Sequence, residues 1–350
     1  MATPALRAIR NGMPEISELC LVGRYAPLTV LEGCPWVDST LVYKPKSKSA
    51  DVLSRRGMIQ ELKRRRIETI ILFPNSLSAG MIGYLTRAKR RIGYARDGRR
   101  WLLTDPIPMR SESHASVKQL PTIDYYLNIA RYLGCDIYDR SMQLWVSDAD
   151  RDQARSLFDS LGLDWDQPTI VLNTASATGD TRQWPTGHAS RAARELANRH
   201  GLQVLIHSGP GDRQKANAIA FGADHPAVQS MGMLADLPLG LSRGVLERAA
   251  VVVSTDSGPR HMAAALNKPV IALFGPTAWE RYQTYNRPET ILRLALDCGP
   301  CGKRRCPLVH NNCMAGLSYH QVVSAVLDHL NRDAIPHHTG ESPLVPRTAA

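Results

Sequence analysis

No apolar run in the 350 residues approaches the roughly 18 that a membrane-spanning helix requires. The first residues, "MATPALRAIR", lack the charged-then-apolar order of a secretory signal, so cytoplasm is the expected compartment. No G-x-G-x-x-G follows a strand-like run, which argues against a dinucleotide oxidoreductase, and no P-loop signature occurs. Any phosphate chemistry must therefore use another device. Aromatic residues make up only 6%, and none interleaves the basic runs, so stacking on single-stranded nucleic acid has little support.

What is present suits a globular chain with room for two cores: 43% hydrophobic and 21% charged residues. The formal net charge is +11, concentrated in "KRRR" (Lys63 to Arg66), "RAKRR" (Arg87 to Arg91) and "RDGRR" (Arg96 to Arg100). Such patches suit nucleic acid, an anionic membrane surface or a phosphorylated substrate; a solvated helix face is the plain alternative.

The patterning is α/β. Thr3 and Pro4 read as a helix start, and "ISELCLVG" (Ile16 to Gly23) as a strand. A helix over Ala50 to Arg66 precedes the β-branched run Ile67 to Phe73, and a further helix is expected around Ser116 to Gly134. The rhythm restarts with strands at "TIVLN" (Thr169 to Asn173), "LQVLIHS" (Leu202 to Ser208), "AVVVST" (Ala250 to Thr255) and "PVIALFG" (Pro269 to Gly275), each joined by helical segments. Two Rossmann-like domains facing a cleft follow, over residues 1–160 and 161–330, with a polar tail at 331–350 expected to be disordered.

The most informative stretch is "VVVSTDSGPRHMAAALNKPVIALFGPT". An apolar strand ends at Ser254, a turn carries Asp256, Ser257 and Gly258, and Pro259 starts a helix. Backbone amides at a helix start and a strand's carboxyl edge form a ready anion site, and Gly258 permits close approach. His261 can donate to phosphate, and Asp256 can accept from sugar hydroxyls. The plain alternatives are that Asp256 or Ser257 only caps the helix and that His261 packs internally.

The segment resembles the signature of the bacterial heptosyltransferases, glycosyltransferase family nine, which reads "TDSGPxHxAAALxxPVxALFGPT". "NTASATGDTRQWP" (Asn173 to Pro185), "HSGPGD" (His207 to Asp212) and "CGPCGKRRCPLVHNNCMAGLS" resemble further family stretches in the right order, the last from the heptosyltransferase II-like branch. The resemblance implies a GT-B fold and inverting transfer of heptose from ADP-heptose to a lipopolysaccharide inner-core acceptor, without a cofactor for the transfer. It assigns Thr174, Ser176, Arg182, Ser257, Gly258 and His261 to the donor diphosphate, Asp256 and Asp212 to sugar or ribose hydroxyls, and Met233 or Leu234 to the adenine pocket. Arg182 stands where the family usually has Lys, and Thr174 where it has Pro. The basic N-terminal half would then face a phosphorylated acceptor at the inner membrane surface.

The resemblance also places "MATPALRAIR" on the helix after the family's first strand. That strand and a Gly-Asp pair carrying the expected general base are expected just before Met1, and Asp38, Asp51 and Asp105 do not replace it. A protein that binds nucleotide sugar without efficient transfer is thus the alternative function, with a basic nucleic-acid-binding protein behind it. Four clustered thiols, Cys298, Cys301, Cys306 and Cys313, admit a structural zinc, free thiols or disulfides.

Overall fold

The computed structural model describes residues 1–44, 53–109, 120–175, 179–286 and 289–334. The N-terminal half runs α1 (Thr3–Gly12), β1 (Cys20–Gly23), α2 (Tyr25–Val30), β2 (Ser39–Val42), α3 (Arg55–Arg64), β3 (Thr69–Leu72), α4 (Leu77–Thr86), β4 (Arg90–Tyr94), β5 (Asp105–Ile107) and α5 (Thr122–Tyr132). Thr3 lies inside α1 and does not cap it; its hydroxyl accepts from the Gln143 amide at 3.2 Å instead. The helix expected from Ala50 starts later, at Arg55, where the Ser54 hydroxyl accepts from the Gly57 amide at 3.1 Å. The remainder of that expected start, like 110–119 ahead of α5, lies outside the described residues.

β1 pairs in parallel with β2, and β3, β4 and β5 form a second parallel sheet. Among the described residues β1 and β3 are each bonded on one side only, so this half carries two sheets where a doubly wound domain carries one. α1 bridges them: Ala8 and Ile9 share an apolar cluster with Leu19 ahead of β1 and with Ile71 and Phe73. Alternate residues of β3 face α4, where Leu72 and Ile70 lie against Gly83. α4 therefore covers the side of β3 opposite to α1.

After α6 (Asp148–Leu161), the C-terminal half runs β6 (Thr169–Asn173), α7 (Thr186–His200), β7 (Gln203–Ile206), α8 (Arg213–Ala223), β8 (Val228–Ser230), α9 (Leu239–Arg248), β9 (Val251–Thr255), α10 (Gly258–Ala265), β10 (Val270–Phe274), β11 (Thr290–Arg293), α11 (Asn312–Ala315) and α12 (Tyr319–Ala334). α12 extends past the boundary expected for the tail; 335–350 lies outside the described residues. The six strands form one parallel sheet in the order β11-β10-β9-β6-β7-β8. Every residue of β6, β7, β9 and β10 is buried, which is why these strands read as continuous apolar runs without alternation.

The halves are packed together. Ala5, Ile123 and Leu127 from the first join Val245, Met262 and Ala263 from the second in one apolar cluster. Asn286 brackets Met142, accepting from its amide at 2.9 Å and donating to its carbonyl at 2.8 Å. Arg243 of α9, with 2% of its side chain exposed, reaches across to the Thr29 carbonyl at 2.6 Å and Glu32 at 3.1 Å.

Candidate functional site

The strand order of the larger sheet reverses between β6 and β9: β7 and β8 are added on one side of β6, β9 and β10 on the other. Parallel sheets hold ligands outside the carboxyl ends of the strands at such a point. There the register sets Asn173 opposite Ser254. The Asn173 side-chain amide donates to Ser254 Oγ at 3.0 Å and to Ser257 Oγ at 2.9 Å, and Thr255 Oγ1 donates to the Ala175 carbonyl at 2.7 Å. These bonds fix the two strand-end loops against each other.

Ser257 occupies the N-cap position of α10 but withholds its side chain from the helix. Its hydroxyl accepts from Asn173 and donates back to the Thr255 carbonyl at 3.2 Å. The amides of the first turn are left without a side-chain cap, and open space surrounds the position a Gly258 Cβ would take. A helix start with free amides beside an unobstructed glycine has the geometry of an anion site. Neither Asp256 nor Ser257 acts as a mere helix cap.

Asp256 is turned inward. Its Oδ1 lies 3.4 Å from Arg260 Nη1, while Oδ2 accepts from Thr277 Oγ1 at 3.1 Å and stands 3.5 Å from Arg182 Nη1. With both oxygens engaged and 5% of the residue exposed, the carboxylate holds Arg182 and Arg260 in place. Arg260, wholly buried, also bonds Glu289 at 2.5 Å and stacks over the Phe274 ring at 4.7 Å. Burial outweighs Arg260 at Glu289 and pushes its carboxyl above the usual value.

His261 lies 3.9 Å from Asp256 Oδ1, and its Nδ1 is buried without a partner among the described residues. Burial, then the Arg260 charge, holds the ring well below its ordinary pKa, so it is neutral at pH 7. Arg182 sits on the short turn Asp180–Arg182. The Cys-rich segment closes over this turn: Thr181 Oγ1 donates to the Lys303 carbonyl at 2.8 Å, and the Gly302 amide to the Pro276 carbonyl at 2.7 Å. Gly179, at φ +120°, leaves no room for a side chain, since a Cβ there would lie 2.6 Å from the Arg304 carbonyl. Exposed Lys303, Arg304 and Arg305 are thereby brought to the rim beside Arg182.

Thr174 is buried at the end of β6, and Ser176 lies outside the described residues. Asp212 begins α8, and its carboxylate has no hydrogen bond among the described residues, leaving it open to accept. Leu234 packs into the interdomain cluster, while Met233 beside it is exposed. Asn173, Arg260, Thr277 and Glu289 were not singled out from the sequence. The Asp256–Arg260 spacing of four on a helix start was a usable signal for the second of them; the other three join the site only through tertiary packing.

The four clustered cysteines are free, with Cys298 and Cys301 exposed. Burial, then the neighbouring Cys301, Cys306 and Cys298, pushes the Cys313 thiol up. Among the described residues no three Cys, His, Asp or Glu side chains are grouped so as to hold a metal ion, and the four thiols stand free, one of the three states that the spacing admits.

At the end of β7, His207 is fully buried, with Nε2 3.1 Å from Ser242 Oγ. Burial lowers its pKa from 6.5 to about 4. Between those values the unfolded chain takes up a proton that the folded chain refuses, so stability falls as pH drops. The loss expected from this one residue is up to about 3 kcal/mol. Denaturation series across that range should show a shallower pH slope for His207→Gln; an unchanged slope would refute the assignment.

The glycosyltransferase family 9 (heptosyltransferase) model matches residues 55–311. Lipopolysaccharide heptosyltransferase 2 of Escherichia coli strain K12 is 22% identical over 281 residues, 76% of each chain. Among solved structures, a family 9 glycosyltransferase from Veillonella parvula superposes with a TM-score of 0.77 at 20% identity, covering 95% of this chain and 93% of that one. Escherichia coli ADP-heptose heptosyltransferase II superposes at 0.75 with 17% identity, covering 95% and 96%. The fold is therefore GT-B, as the resemblance implied. With the family model spanning well over half of the sequence, the chain belongs to glycosyltransferase family 9, the heptosyltransferases.

Proposed function

We propose that this chain transfers heptose from ADP-heptose to the inner core of lipopolysaccharide, with inversion at the anomeric carbon, at the cytoplasmic face of the inner membrane. The observation that carries the reading is the uncapped start of α10, open at Gly258 and flanked by Arg182. In a single displacement the acceptor oxygen bonds to the anomeric carbon and gives up its proton to a general base or solvent water as the bond to the diphosphate oxygen breaks. Negative charge grows on the departing ADP. Free helix amides and a guanidinium already held by Asp256 meet that charge without reorganising, which is how such sites lower a barrier. The neutral His261 can donate a hydrogen bond to the same phosphates, and Asp212 can accept from the ribose. The names of the relatives, lipopolysaccharide heptosyltransferase 2 and ADP-heptose heptosyltransferase II, support this choice of donor and acceptor.

Gly258→Val tests the anion site directly. Since nothing lies within 4 Å of the built Cβ, the variant should fold normally. Its side chain would occupy the space of the phosphate, and ADP affinity measured by calorimetry should fall by about tenfold or more, the value of one lost charge-assisted hydrogen bond. Undiminished ADP binding by a folded Gly258→Val protein would remove α10 from the donor site. Failure of the wild-type chain to bind ADP more tightly than UDP would remove the adenine nucleotide from the proposal.

A further inference from the structure

Helix α4 is built with its polarity reversed. The side that meets the sheet is made of small residues: Gly80, Gly83 and Thr86 are buried, and a Cβ on Gly80 would stand 2.9 Å from Leu102 Cδ1. The large apolar side chains point to solvent. Leu77 is 47% exposed, Met81 36%, Tyr84 49% and Leu85 42%, at the i, i+4, i+7, i+8 spacing of a single helical face. Trp101, 64% exposed, extends the face, its ring centroid 6.4 Å from that of Tyr84.

Cations frame this apolar strip. On one flank a groove of about 570 Å³ between α3 and α4 is lined by Arg55, Arg56, Lys63 and Ile59, with Leu85 as its opposite wall. On the other, Arg91 stacks over the Tyr84 ring at 5.7 Å, and Arg87 and Arg100 stand exposed. Among the described residues no ion pair neutralises Arg55, Arg56, Lys63, Arg87 or Arg100. Nearby acidic groups are already engaged, Glu61 by Arg64 and Arg65, and Glu68 by Lys89.

We propose that the outer face of α4, with Trp101 and the basic wall of α3, is the surface by which this protein docks on an anionic phospholipid bilayer. The chemistry selects that partner. Leucine and methionine have no role in binding a phosphate backbone, whereas an apolar strip with Trp and Tyr at its edge and Arg and Lys around it matches the acyl, interfacial and headgroup layers in turn. A second copy meeting this face about a two-fold axis would set two unpaired basic walls together. The face serves the membrane-borne acceptor proposed above and rests on that reading, but vesicle binding is measured without turnover, so the two can fail separately.

The experiment is co-sedimentation of the full chain with vesicles of phosphatidylcholine containing about a third phosphatidylglycerol, alongside pure phosphatidylcholine. The wild-type chain should bind the mixed vesicles and lose most of that binding in pure phosphatidylcholine or high salt. Leu77→Ser/Met81→Ser/Leu85→Ser should weaken partitioning by about tenfold or more while leaving thermal melting and ADP binding unchanged, because each altered side chain is exposed. Arg55→Glu/Arg56→Glu/Lys63→Glu should abolish the salt-sensitive component. Absence of wild-type binding to the mixed vesicles would overturn the proposal, as would wild-type binding by the folded serine variant. Concentration-dependent dimerisation removed by the serine substitutions, without vesicle binding, would assign the face to a second copy instead.

Discussion

Arg182→Ala is expected to lower heptosyl transfer by about 100- to 1,000-fold, the effect of removing one preorganised donor to a developing oxyanion, with little change in melting temperature. Arg182 is partly exposed and lies 3.5 Å from Asp256 Oδ2 with no other ion-pair partner among the described residues, so the fold does not depend on it. Its value lies in being aimed before the diphosphate arrives. Arg182→Lys keeps the charge without the planar fork and should recover part of the loss. Asp256→Ala has a different signature, since it also strips the wholly buried Arg260 of one of its two carboxylates. Removing one partner from a buried charge cluster costs about 3 kcal/mol or more, so stability and transfer should fall together. Because Asp256 acts on the reaction through Arg182, the double Ala variant should lose less transfer than the product of the single losses. Multiplicative losses, or a kcat unaffected by Arg182→Ala, would show that the guanidinium does not meet the leaving group.

The second large effect concerns Arg243 of α9. Its Nη2 lies 2.7 Å from Asp150 Oδ2, with side-chain exposures of 2% and 7%. The same guanidinium holds the Thr29 carbonyl and Glu32 of the other half. α9 comes close enough to α6 for this only because it is glycine there: a Cβ on Gly240 would lie 2.1 Å from Asp150 Oδ1. Arg243→Ala leaves a buried carboxylate uncompensated and should cost about 3–5 kcal/mol in chemical denaturation. Arg243→Lys should rescue little, because one ammonium cannot serve three partners in the geometry of a fork. Arg243→Met with Asp150→Asn should recover much of the loss, having no stranded charge. If the double variant is as unstable as Arg243→Ala, the loss comes from the contacts between the halves and not from the charge left at Asp150.

The sequence determined the local unit on which function turns. An apolar run ending in Ser254, a polar turn and Pro259 can only leave a strand and enter a helix, so Asp256, Ser257, Gly258 and His261 fall at one strand–helix corner by covalent neighbourhood alone. Their individual tasks were not legible there. Asp256 reads as an acceptor or a helix cap, and only the folded structure sets Thr277, Arg182 and Arg260 around its oxygens. Ser257 reads as a cap until Asn173, 84 residues away, is seen to draw its hydroxyl back toward the strands. The four cysteines have a spacing that admits a metal site, free thiols or disulfides, and in the structure they stand as free thiols.

The same division holds for α4, whose apolar residues announce a helix without saying which side is covered. Only packing decides that: glycine at positions 80 and 83 lets the backbone close on Leu72 and Leu102, and the bulky side chains are left outside. Strand, turn and helix are set by preferences within a few residues, which any segment carries with it. The balance of buried charge around Asp256, and the choice of which apolar face meets water, are sums over neighbours distant in the chain, and they exist only once the chain has folded.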